Sequence, residues 1–162
     1  MAGPTDNPAA GGGPVPDLLA HGRAVLARQP FSRLLGTELH AFSPQRCELR
    51  LPVTPQLLQQ HGFVHGGVVS YLADNALTYA GGGALGVPVV TSELKINYLR
   101  PAVGERLIVR AEVLHHGRTQ AVCRCEVFAV AADGAEKLCA AAQGTIVALP
   151  ARDEGTPGPA AA

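Results

Sequence analysis

From His65 to Ala80 the chain carries a run whose apolar residues, Val68, Val69, Tyr71, Leu72, Ala73, Ala76, Leu77 and Ala80, point round most of a helix. A helix that is apolar on most sides must be buried on most sides, so the rest of the chain has to wrap it. Its polar exceptions are ordered: Ser70, Asp74 and Thr78 recur at i, i+4 and i+8 and form one stripe. Asp74 sits in the middle of that stripe. A carboxylate there is costly unless hydrogen bonds hold it or a raised pKa makes it useful as a base. Anchoring of the helix through Thr78 or a backbone amide is the purely structural alternative. The run opens at Gly66-Gly67, and glycines at a helix N-terminus leave backbone N–H groups pointing outward, ready for a developing oxyanion. Close helix–sheet packing at a tight bend would use the same glycines. The Gly81-Gly82-Gly83 triplet is expected to end helical order.

The wrapping is read from what flanks the helix. Asp17 is placed to N-cap a first helix carrying Leu18, Leu19, Val25 and Leu26, with Pro30 as its stop, and that helix should cover an edge. Cys47, Leu49 and Leu51 alternate with Glu48, Arg50 and Pro52, the pattern of a half-buried strand. Four β-like runs follow the central helix, at 89–99, 106–114, 120–130 and 137–149. Asp133-Gly134 between the last two is a strong hairpin signal. Helix, strand, long helix and four strands make an α+β chain with an antiparallel sheet packed on one helix. Residues 1–16 and 150–162 are rich in Pro, Gly and Ala and are expected to stay disordered, leaving one domain at 17–149.

The chain has 162 residues, 47% of them hydrophobic, enough for a real core. Its 13 Lys and Arg balance 13 Asp and Glu, which gives no electrostatic footprint for a nucleic acid or an anionic membrane surface. A small-molecule partner fits better. Met1 to Pro16 lacks the basic start and apolar run of a signal peptide, and no stretch approaches the ~20 apolar residues of a membrane span, so a cytoplasmic location is expected. The four cysteines show no C-x-x-C spacing and are read as reduced core residues. His61 and His65 are four apart, but the glycines around them disfavour a continuous helix through both, and no metal site is expected.

Gln59, then His65-Gly66-Gly67, then Leu72-Ala73-Asp74-Asn75, then the strand Thr91 to Pro101 and the turn His115 to Thr119 together form a linked pattern. Over about residues 30–149 this pattern resembles the hotdog-fold acyl-CoA thioesterases, in particular the phenylacetate-pathway and 4-hydroxybenzoyl-CoA branch. The resemblance implies a hotdog fold, a long central helix wrapped by a curved antiparallel sheet, and hydrolysis of an aryl or medium-chain acyl-CoA. Coenzyme A would be part of the substrate, with no separate cofactor. In that scheme the Gly66 N–H and the Gln59 carboxamide polarise the thioester carbonyl, and Asp74 activates water or attacks the thioester itself. Gly67 shares the donor turn, His65 orients it, Thr91 positions water, and Thr78 supplies a hydroxyl one turn after the acid. Phe63, Tyr71 and Leu77 would line the acyl pocket. Arg100, Arg106 and Arg118 are candidates for the coenzyme A phosphates, Arg118 preferred. His65 and Asp74 lie nine residues apart, ~13 Å along one helix, too far to act on one carbonyl. The resemblance resolves this with a homodimer whose subunits share each site, and with pairing of dimers into tetramers. Two competing readings are a hotdog dehydratase or hydratase of 3-hydroxyacyl thioesters and a non-catalytic acyl-CoA-binding module.

Overall fold

The structure is a computed structural model and describes residues 17–150, so the two expected tails, Pro150 apart, lie outside the described residues. Helix α1 (Leu18–Ala27) is capped as its sequence indicates, Asp17 Oδ1 accepting from the Ala20 N–H at 3.1 Å. Pro30 does not simply end helical structure. It is the first residue of a second helix, α2 (Pro30–Leu35), where its fixed φ is already helical and its missing N–H costs nothing. Gly36, at φ 72°, closes that turn. A strand that the sequence pattern did not reveal, β1 (Glu38–Ser43), comes next; only Leu39 of its six residues is buried, so its alternation is too short to read. Strand β2 (Arg46–Pro52) buries Cys47, Leu49 and Leu51 as expected.

The central helix α3 (Gly66–Leu85) runs straight through the glycine triplet and ends at Gly86, whose φ of 67° provides the left-handed cap. The expectation that Gly81 to Gly83 would end the helix is therefore corrected. A Cβ on Gly81 would lie 2.7 Å from Ile146 Cβ, and one on Gly83 would lie 2.9 Å from Phe42 Cε2. Two of the three glycines exist to let sheet side chains approach the helix backbone.

Strands β3 (Val89–Tyr98), β4 (Arg106–His116), β5 (Gln120–Val130) and β6 (Glu136–Ala148) complete the fold. The six strands form one antiparallel sheet in the order β1-β2-β4-β5-β6-β3, curved around α3 as the hotdog arrangement requires. Between β5 and β6, Asp133 Oδ1 accepts from the Ala135 N–H at 2.9 Å and Gly134 takes φ 85°, so the hairpin signal is realised. Leu72 and Leu77 of α3 are fully buried against Leu107, Val109, Val127 and Ile146 of the sheet, each large side chain contributing roughly 1.5–3 kcal/mol by leaving water. All four cysteines are free and buried, and burial pushes the Cys123 and Cys125 thiols up to about 11 and about 12. Helix α1 packs on the β1 edge, Arg23 Nε donating to the Leu39 carbonyl at 3.0 Å. At the other edge β3 has no further strand beside it among the described residues, and Ser92, Glu93, Lys95, Asn97 and Tyr98 are exposed along it. No described helix is long and apolar enough to cross a membrane.

Candidate active site

The loop before α3 is stitched at both sides. The Val64 N–H donates to the Ala102 carbonyl at 3.0 Å and the His65 N–H to the Leu57 carbonyl at 2.8 Å, while Gln59 and Phe63 close a small turn through a 2.8 Å backbone bond. His65 caps the helix: its Nδ1 accepts from the Gly67 N–H at 2.9 Å, and its carbonyl accepts from Val68 and Val69. The Gly66 N–H is left with no acceptor among the described residues. Tyr98, on β3, donates its hydroxyl to the Gly66 carbonyl at 3.0 Å and holds the far side of the same peptide turn. Sequence reasoning passed over Tyr98. Its only signal was its place in the strand quoted above, because the contact to Gly66 spans 32 residues. Gln59, Phe63, Gly66, Gly67, Tyr98 and Arg100 share one open cavity of ≈ 540 Å³.

Asp74 lies in a different place. A second open cavity, of ≈ 620 Å³, is lined by Phe31, Tyr71, Asp74, Asn75, Thr78 and Thr91 among others and shares no residue with the first. Asp74 Oδ1 is shielded from solvent and has no hydrogen-bond partner. The anchoring alternative is thereby removed for this oxygen: the Thr78 hydroxyl donates to the Asp74 backbone carbonyl at 2.9 Å, not to the carboxylate. Thr78 Oγ1 also lies 2.9 Å from Thr91 Oγ1. Since the single Thr78 proton is committed to Asp74, Thr91 is the donor in that pair, and its lone pairs remain free to accept from a water in the cleft.

The wall behind the carboxylate is a polar network. Tyr71 Oη is bonded to Ser32 Oγ at 2.7 Å and Thr37 Oγ1 at 3.0 Å, and accepts from Asn75 Nδ2 at 3.1 Å. Ser32 Oγ in turn donates to Gln29 Oε1 at 2.6 Å. Phe31 stands edge-on to Tyr71, ring centroids 5.0 Å apart. The network ties α2 to α3, and of its members only Tyr71 was given a role from the sequence, Asn75 standing there only as part of the quoted pattern. Of the three expected acyl-pocket residues, Phe63 and Tyr71 line separate cavities, and Leu77 is a correction: it is fully buried beneath the sheet and faces no cleft. Arg100 joins the Gly66 cavity, whereas Arg118, in the exposed β4–β5 turn, and Arg106 line neither cavity.

A helix enclosed by a six-stranded antiparallel sheet, opening on an N–H without an acceptor and carrying, just over two turns further on, a carboxylate oxygen without a partner among the described residues, defines a protein of the hotdog class. Comparison with known proteins agrees. Residues 61–134 match the family model of the thioesterase superfamily. The acyl-coenzyme A thioesterase PaaI of Escherichia coli is 30% identical over 105 residues, covering 64% of this chain and 74% of that one. Acyl-coenzyme A thioesterase 13 of Homo sapiens is 31% identical over 105 residues, covering 61% and 73%. The crystal structure of a thioesterase family protein from Silicibacter pomeroyi superposes with a TM-score of 0.74 at 42% identity, over 78% of this chain and 94% of that chain. The chain belongs to the thioesterase superfamily.

Proposed function

We propose that the protein is an acyl-CoA thioesterase whose site is assembled from two copies of the chain. The observation that carries this reading is the Asp74 carboxylate, with an oxygen buried and unbonded at the edge of an open cleft, beside a threonine free to hold a water. Asp74 either takes a proton from that water as it attacks the thioester carbonyl or attacks the carbonyl itself to give an anhydride that water then opens. In both routes the carbon–sulfur bond breaks, coenzyme A leaves as the thiol, and the acid is released. The Gly66 N–H, aided by the Gln59 carboxamide, faces the oxygen that gains charge. Coenzyme A enters as part of the substrate.

Gly66 and Asp74 are eight residues apart on α3, ~12 Å, and lie in separate cavities. Strand β3 runs between the two, with Thr91 beside the Asp74 cleft and Tyr98 beside Gly66. An antiparallel, two-fold pairing of two open β3 edges sets the Thr91 end of one copy against the Tyr98 end of the other. Each site then takes its carboxylate from one subunit and its N–H donor from the partner. Arg100 of one copy and Arg118 of the other fall at the same end of the pair as candidates for the substrate phosphates. The histidine a dehydratase would need beside the acid is missing from the residues lining the Asp74 cleft, and His65 is occupied as a helix cap. With its free buried thiols, the protein fits the reducing cytoplasm.

The test is thiol release from a panel of aryl- and fatty acyl-CoA esters by wild type and Asp74→Asn. Turnover by wild type that is lost in the variant is expected. Equal turnover in the two refutes the role of Asp74, and saturable acyl-CoA binding without any turnover turns the reading to a binding module.

A further inference from the structure

The Asp74 cleft does not end at Thr78. Arg28, Gln29, Asn75, Thr78 and Val89 also line a third cavity, of ≈ 600 Å³, which continues along the C-terminal half of α3 beneath α1. Its walls are largely apolar: Leu18 and Val25 from α1, Phe42 from β1, Tyr79 from α3, Val89 where it meets the Asp74 cleft, and Val87 beyond. His21 and Arg28 of its lining are both exposed at the rim, and the Tyr79 hydroxyl is taken up by donating to the Gly22 carbonyl at 3.0 Å. The floor is bare helix. Gly81 and Gly83 are fixed by contact with Ile146 and Phe42, and Gly86 by its left-handed φ, but a Cβ on Gly82 would meet only one methyl carbon, Val89 Cγ2, at 3.2 Å. A side chain at Gly82 would crowd Val89 and narrow the groove at that point.

We propose that this groove is the acyl-chain subsite and that it takes a linear chain of medium or greater length in preference to an aryl group. The inference rests on the thioesterase reading, since the groove is an acyl site only if the thioester carbonyl sits at Asp74. From Asp74 to Gly86 the helix advances twelve residues, ~18 Å, far more than one aromatic ring spans. The volume is in the range of small-molecule sites, roughly 300–1,000 Å³, and an apolar, continuous wall rewards each methylene that enters it. One buried methylene is worth up to about fourfold in kcat/KM.

The experiment is kcat/KM for butyryl-, octanoyl-, dodecanoyl- and phenylacetyl-CoA. Wild type is expected to prefer dodecanoyl to butyryl by about tenfold or more, and octanoyl to phenylacetyl. Val25→Trp, which fills the groove from α1, should lower the dodecanoyl-to-butyryl ratio about tenfold. Val87→Asp, at an exposed position at the far end, is the second variant should the first fail to fold, and should lower the same ratio by placing a charge against the chain terminus. Turnover with a flat length profile, a preference for phenylacetyl, or an unchanged ratio in the folded variants overturns the subsite and leaves the thioesterase reading standing. No turnover of any ester by folded wild type overturns both.

Discussion

Gly66→Pro removes one hydrogen-bond donor and little else. Gly66 is the first residue of α3, the helical position where proline is best tolerated because its fixed φ is helical and its absent N–H has no intrahelical partner. The preceding residue, His65, already has φ −59° and ψ 135°, the extended conformation that a following proline demands. A Cβ at position 66 meets only the Tyr98 ring, at an ordinary 3.6 Å. The capping bonds from Gly67, Val68 and Val69 to His65 remain. Stability should therefore move by no more than the ~0.4–1 kcal/mol that a compatible proline adds, a rise of roughly 1–4 °C in Tm for a domain of this size. Loss of one oxyanion donor costs about 2.7–4 kcal/mol in the transition state, or 10²–10³ in kcat. The assay pairs thermal unfolding with acyl-CoA turnover. A folded Gly66→Pro protein that keeps wild-type kcat refutes the donor assignment, and one that unfolds refutes the placement of Gly66 as the first helical residue.

Three further outcomes follow from the packing and the charges. Gly81→Ala gains ~1 kcal/mol of helix propensity but forces a methyl against three Ile146 carbons within 2.9 Å, an overpacking worth ~1–3 kcal/mol. Gly82→Ala meets one methyl, so denaturant titration should find it the more stable of the two. Tyr71→Phe strips a hydroxyl from buried Ser32 and from Asn75 and should cost ~1–3 kcal/mol, again by denaturant titration. On the outer sheet face, burial raises the Glu48 carboxyl, but its bonds to Arg50 and Arg110 outweigh that and hold it below its ordinary value; Arg110 likewise lowers Glu136. Their contribution is complete above the unfolded carboxylate value of about 4.3 and is lost as pH falls through the lower folded values. Glu48→Gln should thus flatten the acid limb of a stability-versus-pH curve and leave its neutral plateau shape unchanged.

Where side chains report on their own strand or helix, the sequence was legible. The alternation of Cys123, Cys125 and Val127 with Arg124 and Glu126 marks β5 to the residue, since one face is buried and the other wet. Asp74 stood out because it interrupts an otherwise apolar helix, and its distance from His65 along that helix argued against a site within one chain. What escaped depends on partners distant in sequence. The glycine triplet reads locally as a helix stop, and only Ile146, 65 residues on, turns Gly81 into a packing requirement. Pro30 reads as a terminator unless the six residues that begin with it are known to form α2. Tyr98 and the Ser32–Tyr71–Asn75 network are joined across β3 and α2, and no periodicity within one element records such bonds.

The claim of a shared site is tested most directly by mixing two inactive chains. Asp74→Asn and Gly66→Pro chains, co-expressed with different tags and purified together, form mixed dimers in which one of the two composite sites has both an intact carboxylate and an intact donor. Random pairing should restore about a quarter of wild-type turnover. Activity no greater than the sum of the two separate variants would contradict the shared site and return both groups to a single chain.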